Sequence, residues 1–399
     1  MKKEISGHVR LMCNAALVLF LCFMVFSAAG QEANNSPVSH EFYLKPIKGE
    51  TGLLISHEMG GKGTTFKKEP SFGGDKIIRN IIPLPGQPLP FAWDMNSGKL
   101  YLDFNRNLDL TDDPNSVFVP ENPRSRTHFF QDLPIEVMIQ NTPVLYHISL
   151  QLYNYRRFYE NIEVKTSWEG EVDLPDIKAR MNVTDNLNGE ISFTEKNKGQ
   201  DMCLFVPTDF KDHPSTYTVQ SFVNRERFPV AGKIFLGGRA YIIDFTFVKP
   251  EKEVLLKATF REMKPETGIL RFSGDYIKQA IISGDYKLIL FAPEREEAIP
   301  AGRYKQCKIS LQRNPSQIEL SSTLEKNFSL KKNEVYTLMA GAPLKNKITV
   351  TRTGTRLNMN YELTGIGGES YHKIDYGHPP EFAVYQNGKK IFSEKFAFG

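Results

Sequence analysis

Val144-Leu145-Tyr146-His147-Ile148-Ser149-Leu150-Gln151-Leu152-Tyr153 decides the fold class. Val144, Tyr146, Ile148, Leu150 and Leu152 fall on one side of a period-two repeat. Leu145, His147, Ser149, Gln151 and Tyr153 fall on the other. An extended chain turns successive side chains to opposite faces, so this alternation builds a strand with one buried side. Helical spacing, with apolar residues three and four apart, is almost absent from the rest of the chain.

The same reading extends outward. Tyr241, Ile243, Phe245 and Phe247 alternate with Asp244 and Thr246, and Leu357, Met359, Tyr361 and Leu363 alternate with Asn358, Asn360 and Glu362. Two-residue turn signals separate such runs: Gly237-Gly238 before Arg239–Val248, Asn387-Gly388 before Lys390–Phe392, and Asn188-Gly189 between Arg180–Thr184 and Ile191–Phe193. Aromatic residues, which suit pleated surfaces, make up 12% of the chain. The expectation is a mostly β, multi-domain protein of antiparallel β-sandwich architecture.

The amino terminus reads as an export signal. Lys2, Lys3 and Arg10 precede the apolar run Leu11–Phe26, and the small residues Ser27-Ala28-Ala29-Gly30 follow it. The run is shorter than the roughly 20 residues a spanning helix needs. Removing residues 1–30 lowers the net charge from +4 to about +2, and no basic stripe points to nucleic acid. No later stretch is apolar enough to span a bilayer. The expected location is therefore periplasmic or extracellular, in a bacterial envelope.

Composition divides the remainder into an extended lead-in over 31–50, a β domain over 51–200, a second over 201–314 and a third over 315–399. The Gly/Lys-rich Met59–Lys76 stretch and Pro83, Pro85, Pro88 and Pro90 mark surface connections. Ile299-Pro300-Ala301-Gly302-Arg303-Tyr304 resembles the entry of prealbumin-like β modules. The final stretch, opening after Asn314-Pro315-Ser316, resembles an immunoglobulin-like sandwich in pattern, without a Cys…Trp…Cys core. Past the leader, two cysteines remain, Cys203 and Cys307, readable either as a disulfide in an oxidising compartment or as two buried thiols.

Leu100-Tyr101-Leu102-Asp103-Phe104-Asn105-Arg106-Asn107-Leu108-Asp109-Leu110-Thr111-Asp112-Asp113 carries the strongest chemical signal. Alternate oxygen-bearing side chains on a tightly wrapped backbone can surround calcium, a hard cation that takes six to eight oxygen ligands. The segment resembles the loop of EF-hand and dockerin-type calcium sites. That resemblance implies Asp103, Asn105 and Asn107 as the first ligands, the Asp109 carbonyl as the next and Leu110 as an apolar core contact. Leu108 stands where the family has Gly, and Pro114 where it has a bidentate Glu, so Asp112 or Asp113 would have to close the site. The other reading is an acidic turn whose side chains bond their own backbone.

Weaker segments have simpler readings. Thr184–Glu195 meets the same template with Thr184 in the first place, and a hairpin turn accounts for it. His372, Asp375 and His378 share a Gly/Pro-rich loop; a transition metal there competes with a solvated loop. His57, His128, His147 and His213 show no common spacing, and Cys203 with His213 pairs only by residue type. Met59-Gly60-Gly61-Lys62-Gly63-Thr64 lacks the spacing of a phosphate loop. Trp93 and Trp168 are core or sugar-stacking aromatics. The functional expectation is an exported, non-catalytic β-rich binding or structural protein, stabilised by calcium at Asp103–Asp113. Its partner would be an envelope polymer or another exported protein. The alternative is a secreted hydrolase acting on surface polymers with two carboxylates brought together by the fold.

Overall fold

The computed structural model describes residues 38–58, 63–123, 125–154, 158–191, 201–208, 228–312, 319–373 and 381–395. Strands account for 66% of the described residues, which contain no helix. The mostly β, antiparallel reading therefore holds.

Strand β1 (Ser39–Glu58) opens the fold. A small sheet follows: β2 (Ile77–Ile82), β3 (Leu89–Asp94), β4 (Leu100–Leu102) and β5 (Val117–Phe118). Next comes an antiparallel meander of β6 (Thr127–Ile139), β7 (Thr142–Asn154), β8 (Phe158–Leu174) and β9 (Ile177–Thr184). Strands β10 (Met202–Pro207) and β11 (Phe228–Pro229) extend its far edge. A second sheet starts with β12 (Lys233–Leu236), β13 (Arg239–Val248) and β14 (Leu255–Met263). Strand β15 (Thr267–Phe272) belongs elsewhere, but β16 (Ile277–Gly284) and β17 (Lys287–Phe291) return to that sheet, β17 running parallel to β12. Strand β18 (Glu296–Pro300) pairs with β15, while β19 (Gly302–Gln312) and β20 (Glu319–Leu330) widen the second sheet beyond β16. Strand β21 (Val335–Leu338) completes a three-stranded sheet with β15 and β18. The hairpin β22 (Lys345–Thr353) and β23 (Arg356–Thr364), the short β24 (Ser370–Lys373) beside β20, and the hairpin β25 (Glu381–Gln386) and β26 (Lys389–Lys395) end the described chain.

Strand β1 belongs to two sheets. Ser39–Leu44 pairs with β14, and from Lys45 onward the strand pairs with β8. The change of partner is close-packed: a Cβ on Gly170 would meet Leu44 Cδ2 at 2.7 Å and Tyr43 O at 3.0 Å. This crossing strand joins the two large sheets into one seventeen-stranded ladder.

The strand that decides the fold class behaves as its period demands. Tyr146, Ile148, Leu150 and Leu152 are fully buried and Val144 nearly so, while Leu145 is exposed. They line a first core with β6, β8, β13, β14 and the small sheet. A second core lies between β15, β18, β21 and the far side of β16, β17, β19 and β20. The two cores share a wall. Ile234, Leu236, Ile281 and Ile289 face the first, whereas their neighbours Phe235, Ala280, Ile282, Leu288 and Leu290 face the second. Strands buried on both faces read as unbroken apolar runs, as Ile234-Phe235-Leu236 and Leu288-Ile289-Leu290 do.

Three expectations need restating against the structure. Gly237-Gly238 and Asn387-Gly388 are tight hairpin turns with positive φ throughout. Asn188-Gly189 does not turn β9 into a hairpin, since β9 ends at Thr184 with β8 and β10 on its two sides; residues 192–193 of the expected second strand lie outside the described residues. Cys203 and Cys307 are buried thiols in different cores rather than one disulfide, and burial pushes the Cys307 thiol far up. The carboxy-terminal stretch is divided, since β20, β21 and β24 complete sheets begun by β15–β19, whereas β22, β25 and β26 are largely exposed. The prealbumin-like segment links β18 to β19, and the buried Tyr304 hydroxyl donates to Pro300 O at 2.6 Å.

Candidate functional site

The acidic loop joins β4 to β5, and its first residue is held at both ends. Asp103 N donates to Pro90 O at 3.0 Å, and Leu102 N to Ser116 O at 2.9 Å. Asp103 is fully buried. Its carboxylate accepts from Asn107 N at 3.2 Å and Leu108 N at 2.8 Å, which curls the backbone around it. Arg106 and Leu108 take positive φ, 58° and 69°, so Leu108 adopts at the sharp turn the conformation that favours glycine. Its apolar side chain pays part of that strain by packing: Leu108 and Leu110 join Phe66, Ala92 and Tyr101 in a small separate core. Leu108 O accepts from Lys67 N at 2.8 Å, and Leu110 N donates to Lys68 O at 3.1 Å, a two-bond seam that fixes the loop to the segment before β2.

The remaining acidic and amide groups gather on one another. Asn105 N donates to Asp113 Oδ1 at 3.1 Å. The Asn105 and Asn107 amides donate to the two oxygens of Asp112, at 3.1 and 2.7 Å. Asn105 Oδ1 accepts from Asn107 N, and Asn107 Oδ1 from Asp109 N. Asp109 turns its carboxylate outward to Thr111 N at 2.9 Å and toward Lys68 at 3.6 Å, leaving its backbone to the loop. Asp113 Oδ2 is buried without a hydrogen-bond partner. Burial, with Asp103 and Asp112 nearby, raises the Asp113 carboxyl above its usual range despite the Asn105 amide hydrogen bond. Arg106 turns its guanidinium away, donating to Glu136 O at 2.8 Å.

The structure thus brings Asp103, Asn105, Asn107, Asp112 and Asp113 into one network and directs the Asp109 side chain out of it. Among the described residues, no three His, Cys, Asp or Glu side chains form a group that could hold a metal by themselves. An ion at this loop would have to draw on the Asn amide oxygens and backbone carbonyls as well, the mixed oxygen set that suits calcium. The orphaned Asp113 oxygen and the raised Asp113 carboxyl fit a cation; the amide nitrogens now facing Asp112 would have to turn.

The other candidates separate. In the second acidic segment, Asp185 is fully buried and bonded to Tyr146 Oη, and Asn186 N donates to Asp201 Oδ1 at 2.9 Å; this network braces the end of β9. Burial raises the carboxyl of Asp185 and, further, the hydroxyl of Tyr146. His372 is exposed on β24, while Asp375, His378, His213 and Met59–Lys62 lie outside the described residues, as does the His57 side chain. Trp93 and Trp168 are core residues. Trp93 Nε1 donates to His128 Nδ1 at 2.8 Å, and His128 Nε2 faces Pro123 O at 3.2 Å, so the ring is the neutral Nε2-protonated tautomer; burial lowers its pKa.

Two constellations went unread in the sequence. Glu160 is 3% exposed, its Oε2 has no partner, and burial pushes its carboxyl up to about 7. On the outer face, Asp132 bridges Lys48 and His147, the latter at 2.9 Å. It sits at a bulge where the β6–β7 register shifts, with φ of 58°. Comparison with protein-family models, curated proteins and solved structures finds no match for this chain.

Proposed function

We propose that this is an exported, non-catalytic, β-rich binding or structural protein whose Asp103–Asp113 loop is stabilised by calcium, acting on an envelope polymer or another exported protein. The observation that carries the reading is the loop itself: a buried Asp103 at its entrance, positive φ at Leu108, Leu110 in a local core, and an orphaned acidic oxygen on Asp113. A backbone wrapped this tightly around acids, with no cation among its own side chains turned inward, is what an ion would complete.

Thermal unfolding with excess calcium and then with chelator tests it. A site present only in the folded state adds about 3 kcal/mol at one hundred times the dissociation constant. The melting temperature should therefore climb with calcium, and Asp103→Ala should abolish the climb. Asp113→Asn should act oppositely in chelator, raising the melt by removing one of three neighbouring acids while shrinking the calcium response. A melt indifferent to calcium would reduce the loop to a hydrogen-bonded turn.

One observation bears on the hydrolase alternative: Glu160 is enclosed, and burial pushes its carboxyl up to about 7, the range a general acid uses. Turnover of a surface polysaccharide by the purified protein, abolished in Glu160→Gln with its fold intact, would establish that reading and remove the non-catalytic one.

A further inference from the structure

The carboxy-terminal hairpins leave apolar side chains in water. Register places Ile348 opposite Tyr361, Val350 opposite Met359 and Arg352 opposite Leu357, so these six share one face of β22–β23. Lys, Thr and Asn residues, with Arg356 and Glu362, take the other face. Yet Ile348, Val350 and Leu357 are 49%, 53% and 58% exposed. Among the described residues, the base of the hairpin is what is anchored, through Leu344 and Leu363 against the second core. Nine residues per strand make a finger about 30 Å long. On the second hairpin Tyr385, Ile391 and Phe392 are 63%, 56% and 50% exposed, but a bulge between Val384 and Tyr385 splits them between its two faces. A contiguous apolar face in water marks a contact surface, unlike single scattered residues.

Charge names the partner. On the first hairpin Lys345, Lys347, Arg352 and Arg356 stand against Glu362 alone. On the second, Lys389, Lys390 and Lys395 stand against Glu381 and Glu394. The combined excess equals the +4 of the whole chain. The cations also stand at the tips, with Arg352 and Arg356 flanking one turn and Lys389 and Lys390 following the other.

We propose that the β22–β23 hairpin docks on an anionic lipid surface, its apolar face entering the boundary between headgroups and acyl chains, while the tip cations of both hairpins meet lipid phosphates. Such a surface offers both apolar depth and negative charge, the pair of properties these hairpins present. A second copy would bring apolar surface but the same positive excess. One face of a two-stranded finger this long also covers only about 300 Å², well short of the roughly 800 Å² per partner of a stable interface.

Vesicle co-sedimentation tests the proposal, using the chain from Gln31 onward, which retains the whole compact Ser39–Gly399 unit. Chelator is kept present, so that the outcome does not depend on the Asp103–Asp113 loop. Phosphatidylcholine vesicles containing phosphatidylglycerol should bind the protein, and phosphatidylcholine alone should not. Arg352→Glu with Arg356→Glu should weaken binding at least about tenfold, since each basic residue near such a surface contributes severalfold. Val350→Asp should weaken it without changing the melting temperature, the position being exposed. Three results would each overturn the proposal: no binding to anionic vesicles, binding that ignores both variants, or a dimer that Val350→Asp dissociates in the absence of any vesicle binding.

Discussion

At the scale of single residues, Glu160 is a buried carboxyl with one oxygen left without a hydrogen-bond partner. It stands in the series Glu160, Ile162, Val164, Thr166 and Trp168 that faces the first core, and its carboxyl titrates near 7 in the fold. The unfolded carboxyl titrates near 4.5. Between these values the folded state holds a proton that the unfolded state has lost, so stability is full below about pH 4.5 and declines as pH rises to about 7. The cost above pH 7 is about 3 kcal/mol by linkage. Glu160→Gln should flatten stability across that window and melt higher than the parent at pH 8, as denaturant titrations at several pH values would show. Equal pH slopes in the two proteins would mean that Glu160 ionises freely. Its parity among buried neighbours was visible in the sequence; its enclosure was not, because that depends on which sheet lies opposite.

At the scale of elements, the sequence revealed strands far better than their partners. Val144–Leu152 and Tyr241–Phe247 alternate and are buried as their period requires. The slip between Phe130 and Leu133, where one extra residue breaks the alternation and places Asp132 at a bulge, went unread. Asn188-Gly189 misled because a local turn signal lost to a long-range one: buried Asp185 closes that corner with Tyr146. Leu357, Met359, Tyr361 and Leu363 have the period of a buried strand, but period fixes only which side chains share a face, and nothing in the described chain covers the outer end of this one. The corner between β18 and β19 gives a sharp test. Tyr304→Phe leaves the ring in place and removes the donor to the buried Pro300 O, which should cost about 1–3 kcal/mol. Urea unfolding would measure it, and an unchanged midpoint would show that water replaces the hydroxyl.

At the scale of the whole molecule, the shared wall is what composition and periodicity did not foretell. Unbroken apolar runs show that a strand is buried on both faces, but not that its two faces belong to different cores. Because Leu288 faces one core and Ile289 the other, neither core can melt while the wall stays native. Calorimetry should therefore give one transition with matching calorimetric and van't Hoff enthalpies. Leu288→Ala and Ile289→Ala should each lower that same transition by about 2–5 kcal/mol. Two resolved transitions, each sensitive to only one of these substitutions, would mean that the cores unfold separately.

The crossing strand sets a timetable. Ser39 pairs with Arg261, so the first of the described strands is stitched to one made more than two hundred residues later. At a synthesis rate of about 5–20 residues per second, the delay is roughly 10–40 s. During that interval the front of β1 waits without its partner in the second sheet, and the back of it waits for β8. The newborn chain therefore cannot close its first core from the front. It must keep β1 from pairing elsewhere until β14 arrives, and even then the first core waits for Ile281 and Ile289 from strands made later still.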